Sequence, residues 1–215
     1  MNGILVAGFF LGMSHATEAD HVAAVATLAA GGGDLPRMLR LGALWGLGHM
    51  SMLVLIGGLA LAAGTFIPAS LERGMEALVG VMLILLGADV LWRVRRLVLE
   101  RRAAPDGADA RATHPMTTGL GQRPPWRAYV VGLVHGMAGS AALVVLAASR
   151  VDSPALGMAY VVLFGLGSVA GMVAVSLGLA LPFHFTARRV PALIPLVCLV
   201  SGVVSLVVGT LVLVA

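Results

Sequence analysis

Long apolar stretches recur along this chain, and its polar residues gather between them rather than alternating within them. Six stretches, at approximately 3–30, 40–64, 75–94, 128–148, 155–182 and 192–214, meet the requirement for a lipid-spanning helix, which needs about 20 mostly apolar residues. None alternates with a period of two, as a transmembrane β-strand must. The pattern predicts an all-α integral membrane protein whose six transmembrane helices are solvated by the lipid bilayer. One stretch is interrupted from within. "GMSHATEADHVAAV" packs His15, Glu18, Asp20 and His21 into seven residues of the first segment. An ionisable side chain at mid-bilayer costs about 2.5–3.5 kcal/mol, so the two carboxylates alone cost about 5–7 kcal/mol.

A regular helix cannot aim these four groups at one point. At about 100° per residue, His15, Glu18 and His21 share an arc of about 120°, while Asp20 points about 100° away from His21. The first segment is also long, about 42 Å against a hydrocarbon core of about 30 Å. A break at the polar motif accounts for both facts, and broken helices are tolerated where they line a protein-enclosed site.

The two halves of the chain repeat each other. "GMSHAT" matches "GLVHGM" with an offset of 120, pairing Gly12 with Gly132 and His15 with His135. "WGLGHM" matches "FGLGSV" with an offset of 119, pairing His49 with Ser168. Gly80 and Gly87 recur as Gly202 and Gly209, offset by 122. An odd number of helices per unit inverts the second unit in the membrane, the architecture of secondary transporters. The expected organisation is a first three-helix repeat at 1–94, a flexible Arg-rich cytoplasmic loop at 95–126 and an inverted three-helix repeat at 127–215.

Charge sets the orientation. All fourteen basic residues are arginine, twelve of them in the loops after the first, third and fifth segments and only Arg73 and Arg150 in the alternate loops. The positive-inside rule makes those twelve cytoplasmic and both termini external, in the cytoplasmic (inner) membrane of a prokaryote. With 11% charged residues and a mean hydropathy of +0.99, the net charge of +4 does not signal nucleic-acid binding. "MNGIL" lacks a basic start, so no removable signal peptide is expected. Cys198 is the only cysteine, which counts against a thiol–disulfide carrier and leaves packing as its expected role.

Imidazole with carboxylate suits a borderline divalent metal such as nickel, cobalt or zinc. Magnesium and calcium prefer oxygen alone, and copper(I) prefers sulfur. A bound dication also offsets the cost of the buried carboxylates. The alternative is that these groups, and His49 and His135 with them, serve as interhelical hydrogen-bonding glue. Ser140 and Ser168 can support a ligating imidazole or bond their own helices. Asp89 and Arg93, four apart, read as a structural ion pair. His114 reads as solvated, and His184 as an interfacial or pathway residue.

These residues resemble the nickel/cobalt transporter family. Its signature of His, four residues, Asp and His is met by His15, Asp20 and His21, and "LGALWGLGHMSMLV" at 41–54 resembles a second family motif. "GLVHGMAGSAAL" looks more like the short, urease-accessory-type branch. The resemblance implies metal binding by His15, Asp20 and His21, with His49 at the site or in selectivity. Glu18, His135, Ser140 and Ser168 are expected as supporting or pathway groups.

The expected function is secondary transport of a divalent transition-metal ion, nickel or cobalt, into the cytoplasm. The ion is substrate, and no cofactor is expected. No lysine is present, so a phosphate-binding Gly-Lys-Ser/Thr loop is impossible and ATP-driven transport needs another subunit. Two other readings stay open: a metal-binding membrane subunit of a multi-component importer or metallocentre-assembly system, with assembly proteins as partners, and a metal exporter. An intramembrane zinc protease is disfavoured, because no His-Glu-x-x-His motif occurs. Oligomeric state is not legible.

Overall fold

The computed structural model describes residues 2–29, 35–64, 68–103, 124–137, 148, 153–189 and 193–214. Among them the structure is helical: α1 (Asn2–His15), α2 (Ala19–Ala29), α3 (Leu35–Ala63), α4 (Ala69–Ala103), α5 (Trp126–His135), α6 (Pro154–Arg189) and α7 (Ile194–Val214). Four of these, α3, α4, α6 and α7, contain stretches long and apolar enough to cross a membrane, while α1 and α2 are shorter apolar helices. Leu59, Leu85, Phe10 and Leu211 all point outward and exposed, the arrangement expected where lipid replaces water. The chain is a multi-pass membrane protein.

The first segment breaks where its polar motif falls, at residues 16–18 between α1 and α2. Other boundaries depart from expectation. The third segment does not stop at 94 but continues to Ala103, because "RVRRLVLERR" is mostly Arg, Leu and Glu, good helix formers, and Arg96 Nε pairs with Glu100 Oε1 at 3.0 Å across one turn. The rest of the expected Arg-rich loop, with His114, lies outside the described residues. α3 likewise begins five residues earlier than the apolar run, at Leu35, with Pro36 in its first turn.

Helix packing follows the sequence repeat. α1 runs parallel to α6, and α3 runs parallel to α5, at distances only glycine permits. A Cβ on Gly12 would overlap the Phe164 carbonyl, and one on Gly167 would overlap that of Phe9. At the other contact, Gly132 meets the Trp45 carbonyl and Gly48 that of Tyr129 in the same way. Each glycine and its obstructing residue has its repeat counterpart in the other contact. α3 and α6 cross antiparallel, with Gly46 on Val169 and Gly165 on Met50. α4 and α7 are also antiparallel. Gly80 and Gly209 abut there, as do Gly87 and Gly202, and Ser205 donates to the Leu83 carbonyl at 2.8 Å.

α2 sits among these pairs, touching α3, α4, α6 and α7. Its small residues let it do so. Ala23, Ala24 and Val25 are buried in one core with Ala16, Trp45, Leu83 and Met172. Cys198 is buried against Val90, Val94 and Leu97 of α4, in keeping with a packing role. Arg93 and Asp89 form the expected pair, at 3.1 Å from Nε to Oδ2 and 3.2 Å from Nη2 to Oδ1.

The close contacts make a stability prediction. Gly132→Val drives a side chain into α3 backbone and should cost at least the about 1–3 kcal/mol typical of overpacking. Gly74→Ala enters open space and should gain about 0.5–1 kcal/mol by removing backbone freedom from the unfolded chain. Thermal unfolding of both variants in the same detergent checks the contrast. Equal midpoints would show that the α3–α5 approach is not tight.

Candidate metal centre

Two helices end on histidine at this centre. α1 terminates at His15, where Thr17 N–H bonds Ser14 O at 2.9 Å and Glu18 N–H bonds His15 O at 3.0 Å, closing a turn instead of continuing the helix. Thr17 Oγ1 also donates to the same Ser14 carbonyl, at 2.6 Å, so both of its lone pairs are taken at that end. α2 restarts with Asp20 in its first turn, where the helix dipole favours a negative charge. α5 ends at His135, the repeat counterpart of His15, and Gly136 follows. A Cβ at Gly136 would stand 2.5 Å from the His49 carbonyl oxygen, so glycine there lets the turn sit against α3.

These ends bring four histidines together with almost no exposure: 7% for His15, 1% for His21, 0% for His49 and 2% for His135. Ring centroids lie 4.0 Å apart for His21 and His135, 4.3 Å for His15 and His21, 5.2 Å for His21 and His49 and 5.4 Å for His15 and His49. His21 is the hub. The break resolves the problem of aim, since residues on either side of it belong to different helices and need not share one helical phase.

The carboxylates stand behind the imidazoles. Asp20 Oδ1 accepts from His21 Nδ1–H at 3.0 Å and from the His21 backbone N–H at 2.8 Å. Asp20 Oδ2 accepts from His135 Nε2–H at 3.1 Å. Glu18 Oε1 accepts from His15 Nδ1–H at 2.8 Å, although the Glu18 side chain is 59% exposed. A carboxylate on one ring nitrogen fixes the tautomer and leaves the other nitrogen's lone pair free, as behind many ligating histidines. Here the freed atoms, His15 Nε2, His21 Nε2 and His135 Nδ1, are buried without a hydrogen-bond partner, and so are both ring nitrogens of His49.

Unmet polar atoms of this kind cost about 1–3 kcal/mol each in an apolar interior. Three lone pairs facing a dication would reverse that cost. The donor atoms of His15, His21 and His49 lie within 4.8 Å of one another, as do those of Asp20, His21 and His135. Nitrogen donors with a carboxylate suit a borderline divalent metal.

The remaining expected residues divide. Ser168 is buried, but its hydroxyl donates to its own helix at Phe164 O, 3.0 Å. Ser140 and the side chain of His184 lie outside the described residues. Two aromatic walls went unread in the sequence. The Trp45 ring lies 5.5 Å from that of His21 and 5.6 Å from that of His135, and the Phe164 ring lies 5.5 Å from that of His15. The signal was available, since Trp45 and Phe164 each open a Gly-Leu-Gly motif in the two repeats.

Asp20 should matter to the fold independently of any ion. Asp20→Ala leaves His21 Nδ1 and His135 Nε2 without their acceptor and should destabilise the metal-free protein by about 1–3 kcal/mol, with membrane insertion intact because a buried carboxylate is removed. Glu18→Gln, at an exposed position, should cost less than about 1 kcal/mol. Chelator-treated protein melted in detergent checks this; an Asp20→Ala midpoint equal to wild type would contradict the bridging role.

Comparison with known proteins places the chain. The family described as cytochrome c biogenesis protein transmembrane region matches residues 21–204. The urease accessory protein UreH of Bacillus sp. (strain TB-90) is 33% identical over 187 residues, covering 87% of this chain and 80% of that protein. The chloroplast protein FOR GROWTH AND FERTILITY 1 of Arabidopsis thaliana is 25% identical over 206 residues, or 94% of this chain, and the chain spans 56% of that longer protein. No solved structure matches. The chain belongs to the cytochrome c biogenesis transmembrane-region family and, within it, to the urease-accessory-type branch that its motifs resemble.

Proposed function

We propose that the chain is a secondary transporter of a divalent transition-metal ion, with nickel or cobalt taken up across the cytoplasmic membrane of a prokaryote. One observation carries this reading. Buried histidine nitrogens lacking hydrogen-bond partners converge, backed by carboxylates, where a membrane helix is interrupted. Such interruptions in transporters provide a midplane site. His15, Asp20, His21 and His49 are the proposed metal-binding residues, and Glu18 and His135 the supporting or pathway groups. Similarity to a protein named for urease accessory function points toward nickel.

The proposed architecture is two inverted three-helix repeats. α1 and α2 together make one interrupted crossing, and α5 begins its counterpart. The reciprocal glycine contacts support this, as does the alternation of directions: α1 parallel to α6, α3 to α5, and α4 antiparallel to α7. In this orientation the arginine-rich ends face the cytoplasm. A cavity of about 90 Å³ there, lined by Thr27, Arg37, Asp89 and Arg127, lies beside the end of α2 and suits a cytoplasmic mouth.

The family description names cytochrome c biogenesis, yet with Cys198 as the only cysteine the chain has no internal thiol pair to exchange. Histidine chemistry therefore carries the reading. The word "accessory" in the relative's name favours one second reading, a metal-binding membrane subunit of a metallocentre-assembly system.

Flux into proteoliposomes, with nickel, cobalt, zinc and manganese compared in parallel, tests transport. His15→Ala, Asp20→Ala and His21→Ala should each reduce uptake at limiting metal by about 10–100-fold or more. Near-normal uptake by any two of them would sink the assignment. Dependence on an added partner would favour the accessory-subunit reading. Orientation is tested separately: a cysteine placed at Ala110 should react with an impermeant reagent only from the cytoplasmic side, and periplasmic labelling would invert the topology.

A further inference from the structure

The two nitrogens of His21 face different company. Nδ1 lies 3.0 Å from Asp20 Oδ1 and 3.2 Å from His135 Nε2. Nε2 is buried without a partner, on a ring packed edge-on against those of His15 and His49. His21 therefore belongs to both candidate ligand groups, His15–His21–His49 and Asp20–His21–His135. The first is built from α1, α2 and α3; the second joins α2 to α5. A neutral imidazole offers one lone pair at a time, so the two groups are alternatives and cannot each hold an ion on the same neutral ring.

We propose that a single ion occupies these groups in succession, resting on His15, His21 and His49 and passing to Asp20, His21 and His135. The inference rests on the metal-transport reading above. The order follows from the hydrogen bonds. The first group offers nitrogens that already lack partners, so an ion can enter without breaking a bond there. In the second group the ion must displace the contacts of 3.0–3.2 Å that join Asp20, His21 and His135. In the second position His21 carries its proton on Nε2 instead of Nδ1 and His135 carries its proton on Nδ1 instead of Nε2, so both rings stay neutral and no proton is lost. Transfer exchanges His15 of the first half for its counterpart His135 of the second. Conduction needs sites that bind well enough to select yet weakly enough to release, and two overlapping groups sharing one ligand meet that need.

Cobalt(II) titration of the purified full chain in detergent, read by visible absorption, is paired with flux in proteoliposomes. Wild type should bind one cobalt per chain. His135→Ala should keep the wild-type spectrum, because the resting group is intact, while flux falls by about 10–100-fold. His15→Ala should still bind cobalt but with a changed spectrum, since a carboxylate replaces an imidazole around the ion. If the alanine variant at 135 aggregates, His135→Gln, of similar volume, carries the same test. Two cobalt ions per chain, loss of binding in His135→Ala, an unchanged spectrum in His15→Ala, or normal flux in His135→Ala would each overturn the two-position reading. Absence of flux in the wild type counts against transport itself, whereas the stoichiometry and the two variant spectra decide the positions whether or not flux is seen.

Discussion

Asp20 joins the two halves of the molecule through its two carboxylate oxygens, one on His21 of its own helix and the other on His135 of α5. A buried polar group must find its partners in the protein, since little water is at hand there to replace a lost bond. This constraint organises the centre. α1 stops where His15 can turn inward, α2 restarts with Asp20 at its favourable end, and α5 stops where His135 can reach the same carboxylate. Burial strengthens each bond and raises the cost of each missing one.

The glycines make that junction possible. Four polar side chains from four helices can meet only if the helices approach more closely than ordinary side chains allow. Gly12 with Gly167 and Gly48 with Gly132 provide this on opposite sides of the centre. The contacts flank the site directly: Gly132 lies against the backbone of Trp45 and His49, and Gly12 against Phe164 and Ser168. Packing and polar chemistry are therefore one feature. A methyl group in either contact would move a histidine, a histidine's support, or an aromatic wall.

The site is satisfied on one side and unsatisfied on the other. Asp20 and Glu18 fix the imidazoles by hydrogen bonds, while His15 Nε2, His21 Nε2, His135 Nδ1 and both nitrogens of His49 are buried without donors or acceptors. Purely structural glue would be expected to pair those atoms. A polar network held open in an apolar interior carries a cost, and binding a dication is the simplest chemistry that offsets it.

Much of this was legible in the sequence. Apolar run length specified a helical membrane protein, because spanning lipid leaves a chain few alternatives. The mismatch between helical phase and the positions of His15, Asp20 and His21 signalled a break, since angles along a helix are fixed by its geometry alone. The offsets between the halves tie His15 to His135 in the sequence itself. Tertiary structure decided the rest. Which ring nitrogen is bonded and which is free depends on partners as far apart in sequence as Asp20 and His135, and no local pattern records that pairing. The aromatic walls Trp45 and Phe164, the turn of the Ser168 hydroxyl back to its own helix, and the extension of α4 to Ala103 were likewise settled by contacts. Sequence periodicity determined which polar groups fall within apolar segments; only packing, which brings distant backbones within reach through glycine, determined which of their atoms meet.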